Sequence, residues 1–169
     1  MTAVGQVKRA VAAAIEAAGG AAIESYSEEQ LKRYATAVAA VGTKETVIEE
    51  SGAIEYLGEK VDEMTQEMVA VYGRKMLLTL LIEVYAPRTM GAAGCEEAAE
   101  TITQAMMTAL PEGLKLGSLQ WGKTGWDKTT GMFRLDASAK YAAYFVAEAA
   151  EDETVFTDFV LKGTVKERE

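Results

Sequence analysis

The sequence predicts an α+β fold in which an antiparallel or mixed β-sheet carries two helices packed on it. Residues 4–18 and 92–110 repeat apolar side chains at the three- and four-residue steps of a helix. Residues 69–86 instead alternate with the period of two that is typical of a strand. Strand candidates come in adjacent blocks, which favours hairpins. The predicted order is an N-terminal helix, strands, a helix and strands.

The N-terminal elements are predicted from their end signals. Thr2 can cap the first helix, and Gly19 and Gly20 end it. Ser27 and Gln30 form a possible capping box. We therefore predict a short helical turn over residues 28–31, followed by a strand from about residue 33 to residue 49.

The middle of the chain combines an acidic stretch with the clearest strand. Residues 45–67 contain eight acidic side chains and one base, Lys60, which indicates a long exposed hairpin or loop. In residues 69–86, one predicted face is wholly apolar and the other is mixed, as expected for a surface partly covered by another subunit. The apolar face holds Met76, Leu78, Leu80, Ile82 and Val84, and the mixed face holds Lys75, Leu77, Thr79, Leu81, Glu83 and Tyr85.

The C-terminal half contains the second helix and three more strands. Pro111 and Gly113 stop the helix, and Cys95 lies on its apolar stripe as a structural thiol. Strands are predicted over residues 114–122, 132–146 and 156–166, with an acidic loop over residues 148–158. Residues 1–169 are predicted to form one domain, in which residues 148–169 add a C-terminal loop and strand.

Composition excludes several classes of function. The chain has 169 residues, a net charge of −9, one cysteine and no histidine. The acidic balance argues against a broad nucleic-acid-binding face, and a lone cysteine cannot form an internal disulfide. The absence of histidine removes the commonest general base and transition-metal ligand. No apolar run reaches 18 residues, so no membrane span is predicted. We predict no catalytic residue, cofactor or metal, and hence no enzyme.

One motif resembles an enzyme site. The run Gly-Ser-Leu-Gln-Trp-Gly-Lys-Thr, from Gly117 to Thr124, matches the P-loop pattern. A P-loop needs a helix that starts at the lysine, so that backbone N–H groups converge on phosphates. Here the run lies in a predicted strand, and the residues after Thr124 have turn chemistry up to Gly131. We therefore interpret it as a strand leading into a turn. Its Lys123, with Lys128, forms a basic tip that could contact an acidic loop of a neighbouring subunit.

Short motifs in a distinctive order resemble the lambda-like tail terminator proteins of long-tailed phages, also described as minor tail protein U-like. They are Tyr-Leu-Gly-Glu at residues 56–59, Val-Tyr-Gly-Arg at 71–74, Glu-Val-Tyr-Ala-Pro at 83–87 and Gly-Trp-Asp at 125–127. The resemblance covers roughly residues 3–147. The strand predicted over residues 156–166 departs from the family's pattern.

The resemblance implies a non-enzymatic virion protein. Such a protein forms a homo-oligomeric ring, a hexamer in this family, that caps the tail tube, ends its polymerisation and joins it to the head-completion or neck protein. A sheath protein is a further possible partner, and DNA passes through the lumen without specific binding. The implied location is the virion tail, assembled in the bacterial cytoplasm. The acidic stretches 45–67 and 148–158 are both candidates for the lumen lining or for axial contacts.

The candidate subunit and partner contacts come from the acidic stretch, the mixed strand face, the basic tip and the last strand. They are Glu59, Asp62, Glu63, Lys75, Thr79, Glu83, Lys123, Trp126, Lys128, Phe156 and Phe159. Two other functions stay open at this point. One is another tail or neck component, such as a tube protein or a sheath-associated ring protein. The other, more remote, is a small P-loop enzyme that uses the run from Gly117 to Thr124.

Overall fold

The computed structural model describes residues 3–50, 56–148 and 159–161. Its helices are α1 (Ala3–Ala17), α2 (Glu28–Leu31) and α3 (Gly91–Thr108), with a 3-10 turn at Arg88–Met90 before α3. Its strands are β1 (Ala22–Ile23), β2 (Val38–Glu49), β3 (Tyr56–Val61), β4 (Met68–Ala86), β5 (Lys115–Trp121), β6 (Gly125–Asp127), β7 (Met132–Glu148) and β8 (Phe159–Leu161). The fold is α+β, as the sequence predicts.

The strands of the described residues all belong to one mixed sheet. Its central order is β1–β2–β4–β7–β5, with β3 also pairing with β4, and β6 and β8 also pairing with β7. β1 runs parallel to β2, and the other pairs are antiparallel. The two longest strands, β4 and β7, lie side by side at the centre. At about 3.3 Å per residue, the 19 residues of β4 span about 60 Å.

β2 and β3 follow one another along the same edge of β4. Glu49, at the end of β2, pairs with Lys75, and Tyr56, at the start of β3, pairs with Tyr72. Both strands are antiparallel to β4, and the chain turns back between Val61 and Met68. The stretch 45–67 was predicted as an exposed hairpin or loop. Its described parts form the end of β2, β3 and the turn before β4, which is a hairpin against β4, and residues 51–55 lie outside the described residues.

One face of the sheet carries α1 and α3. The alternation predicted for residues 69–86 is confirmed, because the apolar face of β4 packs under these helices and is at most 1% exposed. Burial of such side chains is the main stabilising contribution to a fold of this kind. This core contains Val7, Val11 and Ile15 of α1, Ile102, Ala105 and Met106 of α3, the five predicted residues of β4, and Leu135, Ala137, Ala139, Tyr141 and Ala143 of β7.

Glycines end α1 as predicted. Gly19 has a φ of +89°, and the Gly20 N–H donates to the Ile15 carbonyl at 3.0 Å, which satisfies the last turn of the helix. A Cβ on Gly20 would lie 2.8 Å from the Ile15 Cγ2 atom. The chain therefore needs glycine here, where α1 turns towards β1.

The helix predicted over residues 92–110 is α3, and its thiol is buried as the sequence predicts. α3 buries Cys95 fully, with its Sγ 3.4 Å from the Phe133 carbonyl oxygen, and this burial raises the pKa of the thiol to about 11. Further along α3, the Thr103 hydroxyl oxygen accepts a 3.0 Å hydrogen bond from the indole N–H of Trp121. This bond ties α3 to β5.

The start of β2 differs from the prediction. The predicted turn over residues 28–31 is α2, and the Ser27 side chain accepts from the Gln30 N–H at 3.4 Å. The strand predicted from residue 33, however, begins at Val38. Leu31 and Tyr34 hold the intervening segment because they pack on a small cluster with Val38 and Tyr85. This cluster covers one end of the second sheet face.

The other difference follows β5. Residues 125–127 were predicted as part of a turn, but they form β6, which pairs with the start of β7. The turn itself is shorter and ends at Gly131, which has a φ of +67°. Of the strand predicted over residues 156–166, the described part is β8; the remainder, and the acidic loop before it, lie outside the described residues.

Candidate interaction surfaces

The predicted contact residues lie in separate regions of the sheet. Glu59, Asp62 and Glu63 belong to the segment 59–67, which we call the acidic turn. This segment joins β3 to β4 and contains four carboxylates and one lysine, Lys60.

Asp62 organises the acidic turn. Its Oδ1 atom accepts hydrogen bonds from the backbone N–H groups of Met64 and Thr65, at 2.8 and 3.1 Å, and its carbonyl accepts from Gln66 N at 2.8 Å. Gln66 has a φ of +61°, which closes the turn. Met64 stands at the end of this framework with 95% of its surface exposed. A single exposed apolar side chain is common on protein surfaces; the feature of Met64 is its position on a turn whose backbone is fixed by hydrogen bonds.

Lys123, Trp126 and Lys128 lie in the segment 122–131, which we call the lysine tip. Trp126 is 45% exposed and packs edge-on against Phe133, with ring centroids 5.1 Å apart. Both lysines are exposed. Neither forms an ion pair within the part of the chain that the structure describes.

Asp127 holds the lysine tip in shape. Its Oδ2 atom accepts a 2.8 Å hydrogen bond from the Thr130 hydroxyl, and its Oδ1 atom accepts from the Thr129 N–H at 3.1 Å. The Thr130 hydrogen bond, followed by the backbone N–H groups, lowers the pKa of the Asp127 carboxyl. The carboxylate keeps its negative charge inside the turn, so two lysines and one aspartate leave the tip with a net charge of +1.

The acidic turn and the lysine tip occupy opposite ends of the sheet. Val61, beside the acidic turn, pairs with Met68 at the start of β4. At the other end of β4, Ala86 pairs with Phe133, which in turn pairs with Trp126 of the lysine tip. The length of β4, about 60 Å, therefore separates them.

Lys75, Thr79 and Glu83 lie on the sheet face opposite α1 and α3. We call it the open face because, among the described residues, α2 and the cluster around Tyr85 cover only one end of it. Thr79 is 8% exposed, and Leu77 and Leu81, between the predicted residues on the same face, are half-buried. The mixed character predicted for this face is therefore present.

An ionic cluster on the open face was not predicted as a unit. Arg134 of β7 contacts Glu83 of β4 at 2.5 Å and Asp136 at 2.8 and 3.0 Å. Glu83 and Asp136 pair directly across the two strands, where like charges repel. Hydrogen bonding to Asp136, with the charges around it, raises the pKa of Arg134 above its usual range. Arg134 therefore holds two carboxylates together.

Sequence reasoning named Glu83 alone because the cluster depends on strand register. An arginine and an aspartate two residues apart on one strand share a face, and that pattern was a usable signal. It does not say which residue of another strand lies opposite. The Tyr85 hydroxyl, 3.3 Å from Glu83, extends the cluster towards α2.

Of the two predicted C-terminal contact residues, only Phe159 lies within the described residues. Phe159 lies in β8, where its backbone pairs with Ala147 of β7. Phe156 lies outside the described residues. β8 thus joins the sheet near the end of β7, away from the lysine tip.

The P-loop-like run does not have P-loop geometry. Gly117 lies within β5, and Thr124 is followed directly by β6 rather than by a helix. No helix N-terminus therefore faces a phosphate position at Lys123. The geometry gives no support to nucleotide binding at this run.

Metal binding and membrane insertion leave no signature in the described residues. Among residues 3–50, 56–148 and 159–161, no three cysteine or carboxylate side chains converge in a way that could hold a metal ion. The helices of these segments are too short or too polar to cross a membrane.

Comparison with known proteins gave no match, either to a protein-family model or to a curated protein sequence.

Proposed function

We propose that this chain is a tail terminator-like structural protein of a phage or phage-like tail. It forms a ring of identical subunits, six in the family it resembles, on the end of the tail tube. The ring ends tube polymerisation and presents a surface to the neck or head-completion protein. The chain works by contact between subunits and with partners rather than by catalysis.

The observation that carries the proposal is the contrast between the two faces of the sheet. One face is sealed by α1 and α3. The open face combines the half-buried Leu77 and Leu81 with the charged cluster around Arg134. A face with an apolar centre and charged surroundings has the composition of a protein–protein interface.

The edges of the sheet support a ring in particular. Within the described residues, residues 42–49 of β2 pair with β4 on one side and with no strand on the other. The opposite edge of the sheet, formed by β5, β6 and β8, presents a different surface. Two unlike edges allow head-to-tail contacts, which close into a ring when the rotation fits. Exposed edges also permit β-strand addition by a partner protein.

The charge of the chain suits a ring that DNA must cross. A subunit with a net charge of −9 repels phosphates, so DNA can pass through the lumen without binding to it. The acidic stretches 45–67 and 148–158 are both candidates for the lumen lining or for axial contacts.

The proposal is tested by the mass of the assembled protein. We expect size-exclusion chromatography with light scattering to detect a ring, either with the chain alone or after addition of the tail tube protein from the same phage. A strict monomer at high concentration that also fails to bind tube protein would contradict the proposal. Open-ended tubes formed by the chain alone, seen in negative stain, would favour a tube protein instead.

A further inference from the structure

We propose that the acidic turn of one subunit docks on the lysine tip of the next subunit. This inference rests on the proposed function. It assigns the acidic turn to contacts between copies rather than to the lumen, and it places those contacts at the two ends of β4 rather than along the sheet edges. The two segments lie at opposite ends of β4. They are too far apart to meet within one copy, so any contact between them joins two copies.

Charge is the first reason to pair them. The acidic turn holds Glu59, Asp62, Glu63 and Glu67 against Lys60. The lysine tip holds Lys123 and Lys128 against Asp127, a net charge of +1 on a chain whose net charge is −9. Opposite charges at the two ends steer copies into a head-to-tail orientation and disfavour tip-to-tip contact.

Each end also exposes a large apolar side chain among its charged residues. Met64 is almost fully exposed at the acidic turn, and Trp126 is 45% exposed at the lysine tip. A methionine sulfur against an aromatic ring is a favourable contact, and tryptophan is enriched in the centres of protein interfaces. An apolar centre with a charged rim at both ends matches the organisation of a small interface.

Both ends are held in shape before they meet. Hydrogen bonds to the Asp62 carboxylate fix the backbone around Met64. On the lysine tip, Asp127 fixes the turn and Phe133 supports the ring of Trp126. Preformed surfaces lose less conformational entropy on binding, so a small contact can contribute usefully to assembly.

Two charge-reversed variants test the contact. One is reversed at the tip (Lys123→Glu with Lys128→Glu), and the other at the turn (Glu63→Lys with Glu67→Lys). A control reverses one charge on each of the two large helices, away from both ends of β4 and from the sheet edges (Lys8→Glu with Glu100→Lys). Each protein is assayed by light scattering alone and with tube protein, and its fold is checked by circular dichroism. We expect each reversed variant to need at least roughly tenfold more protein to assemble, and the control to behave like wild type.

A mixture of the two charge-reversed variants is the decisive experiment. The variant reversed at the tip keeps its acidic turn, which can dock on the lysine tip of the variant reversed at the turn. At the next contact around the ring, the reversed turn and the reversed tip also carry opposite charges. We therefore expect an equimolar mixture to recover assembly as rings of alternating subunits. Separate assembly defects that the mixture does not repair would overturn the inference, and so would reversed variants that assemble like wild type.

The outcomes separate this inference from the proposed function. If wild-type chain forms rings and the reversed variants also do, the inference fails and the ring remains. If wild-type chain forms no ring, alone or with tube protein, both fail. A third variant pair, Met64→Ser and Trp126→Ala, tests the apolar centre, and we expect each to weaken assembly at high salt, where the charges are screened.

Discussion

Replacing Arg134 by methionine should destabilise the protein because it leaves two carboxylates facing each other. Of the two carboxylates, Glu83 lowers the free energy of unfolding more, since its side chain is only 12% exposed. Removing the partner of a buried charge costs about 3–5 kcal/mol. Arg134 is 36% exposed and Asp136 40% exposed, so solvent screens part of this effect. We expect a loss of about 2 kcal/mol in the free energy of unfolding.

Lys140→Met is the matched control. Lys140 lies on the same strand and face, is exposed, and forms no ion pair within the described residues. Its replacement should change stability by less than about 0.5 kcal/mol. For a chain of this length, 2 kcal/mol corresponds to a fall in melting temperature of roughly 4–8 °C. Thermal and urea unfolding, followed by circular dichroism at one protein concentration, measure both quantities.

A rescue variant isolates the cause. Adding Glu83→Gln to Arg134→Met removes the repulsion between the carboxylates, so the double variant should regain about 1 kcal/mol over the single one. Glu83→Gln alone, in contrast, should destabilise the wild type because the amide oxygen of glutamine accepts a weaker hydrogen bond from Arg134 than the carboxylate does. The reasoning is refuted if Arg134→Met matches Lys140→Met, or if Glu83→Gln lowers stability equally in both backgrounds.

Three further predictions follow from single contacts. Because burial raises the Cys95 pKa to about 11, the native thiol should react slowly with a disulfide reagent at about pH 8 and quickly once denatured; rapid native labelling would contradict its burial. Thr103→Val leaves the Trp121 indole N–H without its acceptor and should lower the free energy of unfolding by about 1 kcal/mol in the same melting assay. The control Thr108→Val, at an exposed site on the same helix, should lower it by less than half of that. Asp127 has a folded pKa below its usual 3.8, so its contribution to stability is present above that pH and is lost as the pH falls through the folded pKa. Unfolding measured from roughly pH 5 to 2 should therefore show a steeper loss for the wild type than for Asp127→Asn, and equal slopes would remove Asp127 as the cause.

Period-two alternation was the most reliable signal in the sequence. It predicted which face of β4 packs under the helices, because successive side chains of a strand point to opposite faces and so separate Leu78 and Leu80 from Lys75 and Glu83. The helices were predicted equally well, since their apolar stripes and the glycines after α1 depend only on local sequence.

Features that depend on distant contacts were not predicted. The late start of β2 follows from Leu31 and Tyr34, which pack on Tyr85 some fifty residues further along the chain. Strand β6 exists because β7 offers it a partner at Arg134. The Arg134 cluster likewise needs the register of β4 against β7, and a repeat of two residues fixes the face of a side chain but not the residue opposite it.

The central claim is that this chain caps a growing tube. The most direct test adds purified chain to polymerising tail tube protein from the same phage and measures tube lengths in negative stain. The account predicts tubes that stop growing as chain is added, with one additional ring at the end of each tube. Tubes of unchanged length without added density at their ends would contradict it, as would chain incorporated along the whole tube.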